Sequence, residues 1–283
     1  MVLRATEFFS KEGASACDPA TESAFFSALK MRNGTFKFTQ PCRFSELERL
    51  IQPFVKERSG SLQEVLDIGV STGVTTVEFA NFLRSNGASA KVIATDLFIN
   101  AHIVHAWPQL TVLADSEGWP LQYDFRGIVV RPWIRRLDYL TLAFVPRLLA
   151  RWLLRARARA LIAAGSSEVV QMTTRLLSND GDILFVENDI MKRAPAFAGR
   201  FDFIRAANIL NLNYFGERQI NEAVANIRSY LRGPGALLLV TRTNNARRNA
   251  GTLFELLPSG TFQILKRIGG GSEIERQILR SRP

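Results

Sequence analysis

The stretch Glu64-Val65-Leu66-Asp67-Ile68-Gly69-Val70-Ser71-Thr72-Gly73 is an apolar strand running into a glycine turn, with an acidic residue two places before the first glycine. A buried strand that ends in small residues lets backbone N–H groups come close to a ligand, and glycine permits the approach because no side chain blocks it. Asp67, Gly69, Ser71 and Gly73 are therefore the first candidate binding residues. The dinucleotide fingerprint G-x-G-x-x-G has its second glycine where this chain carries Ser71, which disfavours close contact with a pyrophosphate. A glycine turn also serves purely structural ends, so the reading needs support elsewhere in the chain.

That support recurs in order. Lys91-Val-Ile-Ala-Thr-Asp96 is a short apolar strand ending in a carboxylate, roughly 20 residues past the turn, where doubly wound folds place an acid on a ribose diol. Between them Val77, Phe79, Ala80, Phe82 and Leu83 suit a crossover helix packed on a sheet. Further along, Asp182-Ile-Leu-Phe-Val-Glu-Asn-Asp189 is a strand with a polar corner, and residues 200–215 form another strand followed by Asn208-Ile209-Leu210. Each corner taken singly reads as a solvated carboxylate or a helix N-cap. Their order along the chain acquires a meaning from a family resemblance.

The spacing Asp-x-Gly-x-x-x-Gly resembles motif I of the class I S-adenosylmethionine-dependent methyltransferases, whose usual form is acidic-x-Gly-x-Gly-x-Gly; Ser71 departs from it but is small. Residues 200–215 resemble the strand-four motif of that family, most closely the form in chemotaxis-receptor methyltransferases, a local likeness that does not transfer their receptor substrate. The resemblance implies an α/β fold, a doubly wound, mostly parallel seven-stranded sheet, and S-adenosylmethionine as cofactor. It assigns the methionine part to Asp67 and the Gly69–Gly73 turn, the ribose to Asp96 and the adenine amino group to Asp189. Asn208 would face the methyl group, and Tyr214 is a candidate substrate contact. The implied reaction is in-line methyl transfer to an oxygen or nitrogen of a small-molecule, lipid or protein acceptor, for which the protein supplies orientation and desolvation.

The C-terminal half continues the pattern. Ile220, Val224, Ile227 and Leu231 have helical spacing, Arg232-Gly-Pro-Gly235 is a sharp stop, and residues 236–243 are an apolar run expected of a strand buried on both faces. Residues 254–257 read as a helix end, and residues 262–268 and 274–279 as a terminal hairpin joined at Gly269. Ahead of the sheet, residues 1–60 read as an apolar helical segment, which the resemblance makes a lid over the cofactor; Lys30, Arg32, Lys37 and Arg43 are its candidate substrate contacts.

A chain of 283 residues with 47% hydrophobic content can bury one large core, and residues 61–283 make the methyltransferase-like domain. Cys17 and Cys42 form no metal or disulfide pattern and fit a reducing cytoplasm; both lie away from the motifs, which argues against a cysteine nucleophile. His102 and His105 lack a third ligand, so no metal site is expected. Residues 1–9 are too short and too charged for a signal peptide.

Between Asp96 and Asp182 the chain is much longer than one crossover helix requires, giving an insertion over about residues 100–165. Its expected parts are a small hairpin within 111–133, a helix over 139–164 kinked at Pro146, and then the ordinary crossover helix at 167–177. Residues 126–159 carry nine arginines and one acid, nearly all of the chain's net +10. Arg147, Arg151, Arg155 and Arg159 are four apart, a stripe beside Leu148, Leu149, Trp152, Leu153 and Leu154: a basic amphipathic helix. A transmembrane span is disfavoured, since each arginine costs about 2.5 to 3.5 kcal/mol near a helix centre. A helix on an anionic membrane surface and a helix closing the site or a homodimer seam both remain open. Nucleic acid is disfavoured because no aromatics interleave as stacking platforms. A non-catalytic adaptor that keeps the fold and binds a membrane or acidic partner through this helix is the alternative function, since the sequence shows no obvious general base and fold does not establish function.

Overall fold

The computed structural model describes residues 3–10, 18–37, 39–177, 181–212, 215–243 and 248–281. In chain order the strands are β1 (Glu64–Ile68), β2 (Lys91–Asp96), β3 (Asn100–Trp107), β4 (Leu110–Ala114), β5 (Pro120–Phe125), β6 (Ile128–Val130), β7 (Glu168–Gln171), β8 (Ile183–Glu187), β9 (Phe203–Ala207), β10 (Leu237–Thr243), β11 (Asn249–Leu256) and β12 (Phe262–Ile268). They form two sheets in two compact units, one of residues 1–39 and 98–175, the other of 40–97 and 176–283. The boundary expected at residue 60 is therefore replaced: residues 1–39 join the inserted segment, and the Ser45–Glu57 helix joins the larger sheet.

The larger unit carries seven strands in the order β12-β11-β10-β9-β1-β2-β8. Pairings from β8 to β10 are parallel, whereas β10–β11 and β11–β12 are antiparallel, so the sheet is mixed rather than mostly parallel. Parallel strands demand crossovers, and the Val74–Ser85 helix supplies the one between β1 and β2. Ser45–Glu57 and Val74–Ser85 cover one face through Leu47, Ile51, Phe79 and Leu83. Glu217–Tyr230 covers the other through Ile220, Val224 and Ile227.

Two expectations at the C-terminal edge are corrected. Residues 254–256 end strand β11 and Leu257 follows it, with no helix there, and β11 can press against β10 because Gly251 has no Cβ, which would lie 2.6 Å from the Val240 carbonyl oxygen. Residues 274–279 are not a strand: Glu275–Arg280 is helical, and Ile274 and Ile278, four apart, are buried together.

The smaller unit holds an antiparallel sheet in the order β6-β5-β4-β3-β7. The β5–β6 hairpin turns at Arg126 and Gly127, both at positive φ, as a two-residue hairpin requires. The expected hairpin is thus part of five strands, and residues 167–177 contribute β7 and a short 3-10 turn in place of a crossover helix. His102 and His105 lie on β3, with ring nitrogens on Ser167 and Thr111. The expected kinked helix is two helices, Arg136–Leu140 and Phe144–Ala163, with Pro146 in the first turn of the second, where its missing N–H costs nothing. Helices Ala5–Phe9 and Pro19–Ser27 pack a phenylalanine cluster on one face, the Phe8 and Phe25 rings stacking at 3.9 Å. Among the described residues no helix is long and apolar enough to cross a membrane.

Candidate functional site

In an open parallel sheet a ligand sits beyond the carboxyl ends of the strands, where the winding reverses. Here that point lies between β1 and β9, with β2 on the other side of β1. Gly69, Ser71 and Gly73 all have positive φ (78°, 56° and 84°), and Gly73 caps the Val74–Ser85 helix. A Cβ on Gly69 would lie 3.1 Å from the Ile209 side chain, so the close passage of the turn over the β9 corner needs glycine there.

The turn is tied to β2. Gly69 and Val70 donate to the Thr95 carbonyl oxygen at 2.8 and 3.2 Å, and the Ser71 N–H donates to Asp96 Oδ2 at 2.7 Å. A carboxylate thus occupies the place where a phosphate-binding loop would present a free N–H to an anion. Asn188, past the end of β8, donates to the Asp96 carbonyl oxygen at 3.0 Å and carries Asp189 to the same edge. Asp189 is half-buried, and its Oδ1 accepts the Met191 N–H at 3.1 Å. Asn208 stands just past β9 at φ 61°, with its Oδ1 taking the Thr243 N–H at 2.6 Å. Asp96, Asp189, Asn208 and the glycine turn therefore share one sheet edge. Tyr214 lies outside the described residues.

Asp67 is placed differently from its expected contact with a methionine moiety. It is 1% exposed, and Arg205, also 1% exposed, grips it in a fork: Nε to Oδ1 at 2.8 Å and Nη2 to Oδ2 at 2.6 Å. Thr76 Oγ1 adds a third bond at 2.7 Å, and Arg205 Nη2 also donates to the Thr75 carbonyl oxygen at 2.9 Å. The Arg205 guanidinium lies 4.1 Å from the Phe79 ring centre. Asp67 thus ties β1 to β9 and to the helix after the turn, holding the site from beneath. Its partner was missed in the sequence reading, although an arginine amid Phe203-Ile-Arg-Ala-Ala207 was a legible anomaly: a charge in a buried strand requires a counter-charge.

Glu48 faces this pair, its Oε1 3.7 Å from Arg205 Nη1. Burial pushes its carboxyl up to about 6, against the pull of Arg205. The native state therefore binds this proton more tightly than the unfolded chain, and the stabilisation is complete below the unfolded value of 4.5 and lost as pH rises through about 6. Stability should fall by about 2 kcal/mol across that window, and Glu48→Gln should flatten the slope. Urea midpoints at a series of pH values check this; an unchanged slope in the variant would refute it.

No family model matches the chain, and no curated protein matches it. Among solved structures it is similar to an O-methyltransferase family protein from Burkholderia thailandensis (16% identity, 85% of this chain and 47% of that chain, TM-score 0.32). It is also similar to SAM-bound CalS10, an amino pentose methyltransferase from Micromonospora echinaspora (13%, 75% and 63%, TM-score 0.33), and to the CMeT domain of the citrinin polyketide synthase (16%, 79% and 39%, TM-score 0.38). This chain spans less than two thirds of the length of each. The likeness is distant, and a functional reading has to rest on the residues themselves.

Proposed function

We propose that the larger unit binds S-adenosylmethionine and transfers its methyl group to an oxygen or nitrogen of an acceptor. The observation that carries this reading is the carboxylate-closed turn: Asp96 caps the Ser71 N–H at 2.7 Å, beside a positive-φ glycine turn at the winding reversal of the sheet. A pyrophosphate would meet that carboxylate as a like charge, whereas a ribose diol would donate to it and a sulfonium cation would be attracted. The ribose acceptor would serve either nucleoside, and it is the closed Ser71 N–H that favours S-adenosylmethionine over a dinucleotide.

When bound, the cofactor supplies an electrophilic methyl group. Asp96 would hold the ribose, the backbone of residues 69–73 would border the amino-acid part, and Asp189 would meet the adenine. Asn208, braced by Thr243, would shape the wall beside the sulfur. Asp67 positions the turn through Arg205 and Thr76 without touching the ligand. Calorimetric titration with S-adenosylhomocysteine tests the reading. Saturable one-site binding is expected, with NAD binding much more weakly; a preference for NAD would overturn it.

A further inference from the structure

The long helix of the smaller unit turns three of its stripe arginines, Arg147, Arg151 and Arg155, inward. Gly118 admits it: a Cβ there would stand 2.7 Å from the Arg159 N and 2.8 Å from the Arg155 carbonyl oxygen, so the helix backbone lies directly on this glycine. Trp119 then receives Arg151 and Arg155 over its ring at 5.1 and 5.5 Å, and Arg147 reaches the Arg131 carbonyl oxygen at 2.8 Å. Leu154 and Ala158 are buried between. Of the four stripe arginines, Arg147, Arg151 and Arg155 are half-buried and Arg159 is exposed.

What faces outward is apolar. Leu149, Trp152 and Leu153 are exposed, Trp152 at 71%, and the preceding short helix and corner add Leu137, Leu140 and Leu142, Leu140 at 81%. Six large apolar side chains left exposed within 17 residues of chain are what a contact face presents. The segment that carries it, residues 126–159, is strongly basic. Asp138, the single acid of residues 126–159, is buried and gripped by Arg131 at 2.8 and 2.9 Å, which holds its carboxyl well below the usual range. Arg136, Arg157 and Arg159 are exposed, and among the described residues no carboxylate pairs with them. A cleft of about 520 Å³, walled partly by Tyr139 and Leu148 of these helices, adds Lys30 to the cationic set.

We propose that this face docks on an anionic lipid bilayer, its six apolar side chains entering the headgroup–acyl boundary while the exposed arginines meet lipid phosphates. Charge selects this occupant. In a symmetric dimer the patch would meet itself and set arginine against arginine, whereas an acidic bilayer supplies apolar depth and negative charge together.

Co-sedimentation of the full chain with vesicles of phosphatidylcholine alone, or mixed with phosphatidylglycerol, tests it. Binding is expected to need the anionic lipid and to weaken steeply with salt. Combined Leu140→Ser, Leu149→Ser and Trp152→Ser should abolish it with the unfolding midpoint unchanged, since these side chains are exposed. Combined Arg157→Gln and Arg159→Gln should lower partitioning roughly tenfold or more. Equal binding to both vesicle types, or no binding at low salt, would overturn the proposal. So would a concentration-dependent dimer that the triple variant dissolves, which would assign the face to a second copy.

Discussion

Asp67→Asn is expected to lower the stability of the larger unit by about 3 to 5 kcal/mol, the usual cost of leaving one member of a buried ion pair without its counter-charge. The geometry puts this pair at the upper end. Both residues are 1% exposed, the fork is two-pronged, and the pair bridges neighbouring strands at a matched register position, Asp67 opposite Arg205. Asparagine keeps the shape but sets an N–H against the guanidinium, so repulsion adds to the lost charge. Arg205→Met should be similarly costly, because it strands the carboxylate with Thr76 alone. The double variant should lose less than the sum of the singles by about 1 to 3 kcal/mol, since removing both charges leaves neither uncompensated. Urea denaturation followed by circular dichroism measures all three; a cost below about 1 kcal/mol for Asp67→Asn would show that the pair does not brace the sheet.

Asp96→Ala should weaken S-adenosylhomocysteine binding by about ten- to a hundredfold, the loss of charge-assisted hydrogen bonds worth about 1.5 to 3 kcal/mol. Asp96 is half-buried at the end of β2, so the unfolding free energy should fall by only about 1 kcal/mol. The variant also removes the acceptor of the Ser71 N–H, and Asp96→Asn separates the two effects. If loosening of the turn were the whole cause, asparagine, which can still accept that N–H, would restore affinity. If the carboxylate itself holds the ribose, asparagine should recover only part of it. Unchanged affinity in Asp96→Ala would remove Asp96 from the proposed site.

Much of the larger unit was legible because its signals are local. The strand at 91–96 and the helix after the glycine turn follow from apolar runs, and Gly69, Ser71 and Gly73 announce a turn with positive φ. Residues 254–257 and 274–279 were misread because short apolar runs fit both periods, and a partner decides between them: β10 for the first, the core around Ile220 and Ile227 for the second. In the five-stranded sheet of the smaller unit β3 to β6 pair as successive local hairpins, and the pairing of β3 with β7 spans a long separation that only tertiary contact sets.

The sequence alone determined the element types along the parallel strands, the candidate edge at Asp96, Asp189 and Asn208, and the one-sided charge of residues 126–159, since each depends on residue identity and short spacing. Only the tertiary structure decided which face of a basic amphipathic helix looks outward and whether a motif carboxylate is free. A helix with arginines on one flank and leucines on another can pack either way, and the glycine at 118 and the indole at 119 chose the arginine side. Asp67 reads as a ligand contact until Arg205, distant in sequence and adjacent across two strands, takes both its oxygens, because burial leaves a carboxylate no alternative to an internal partner.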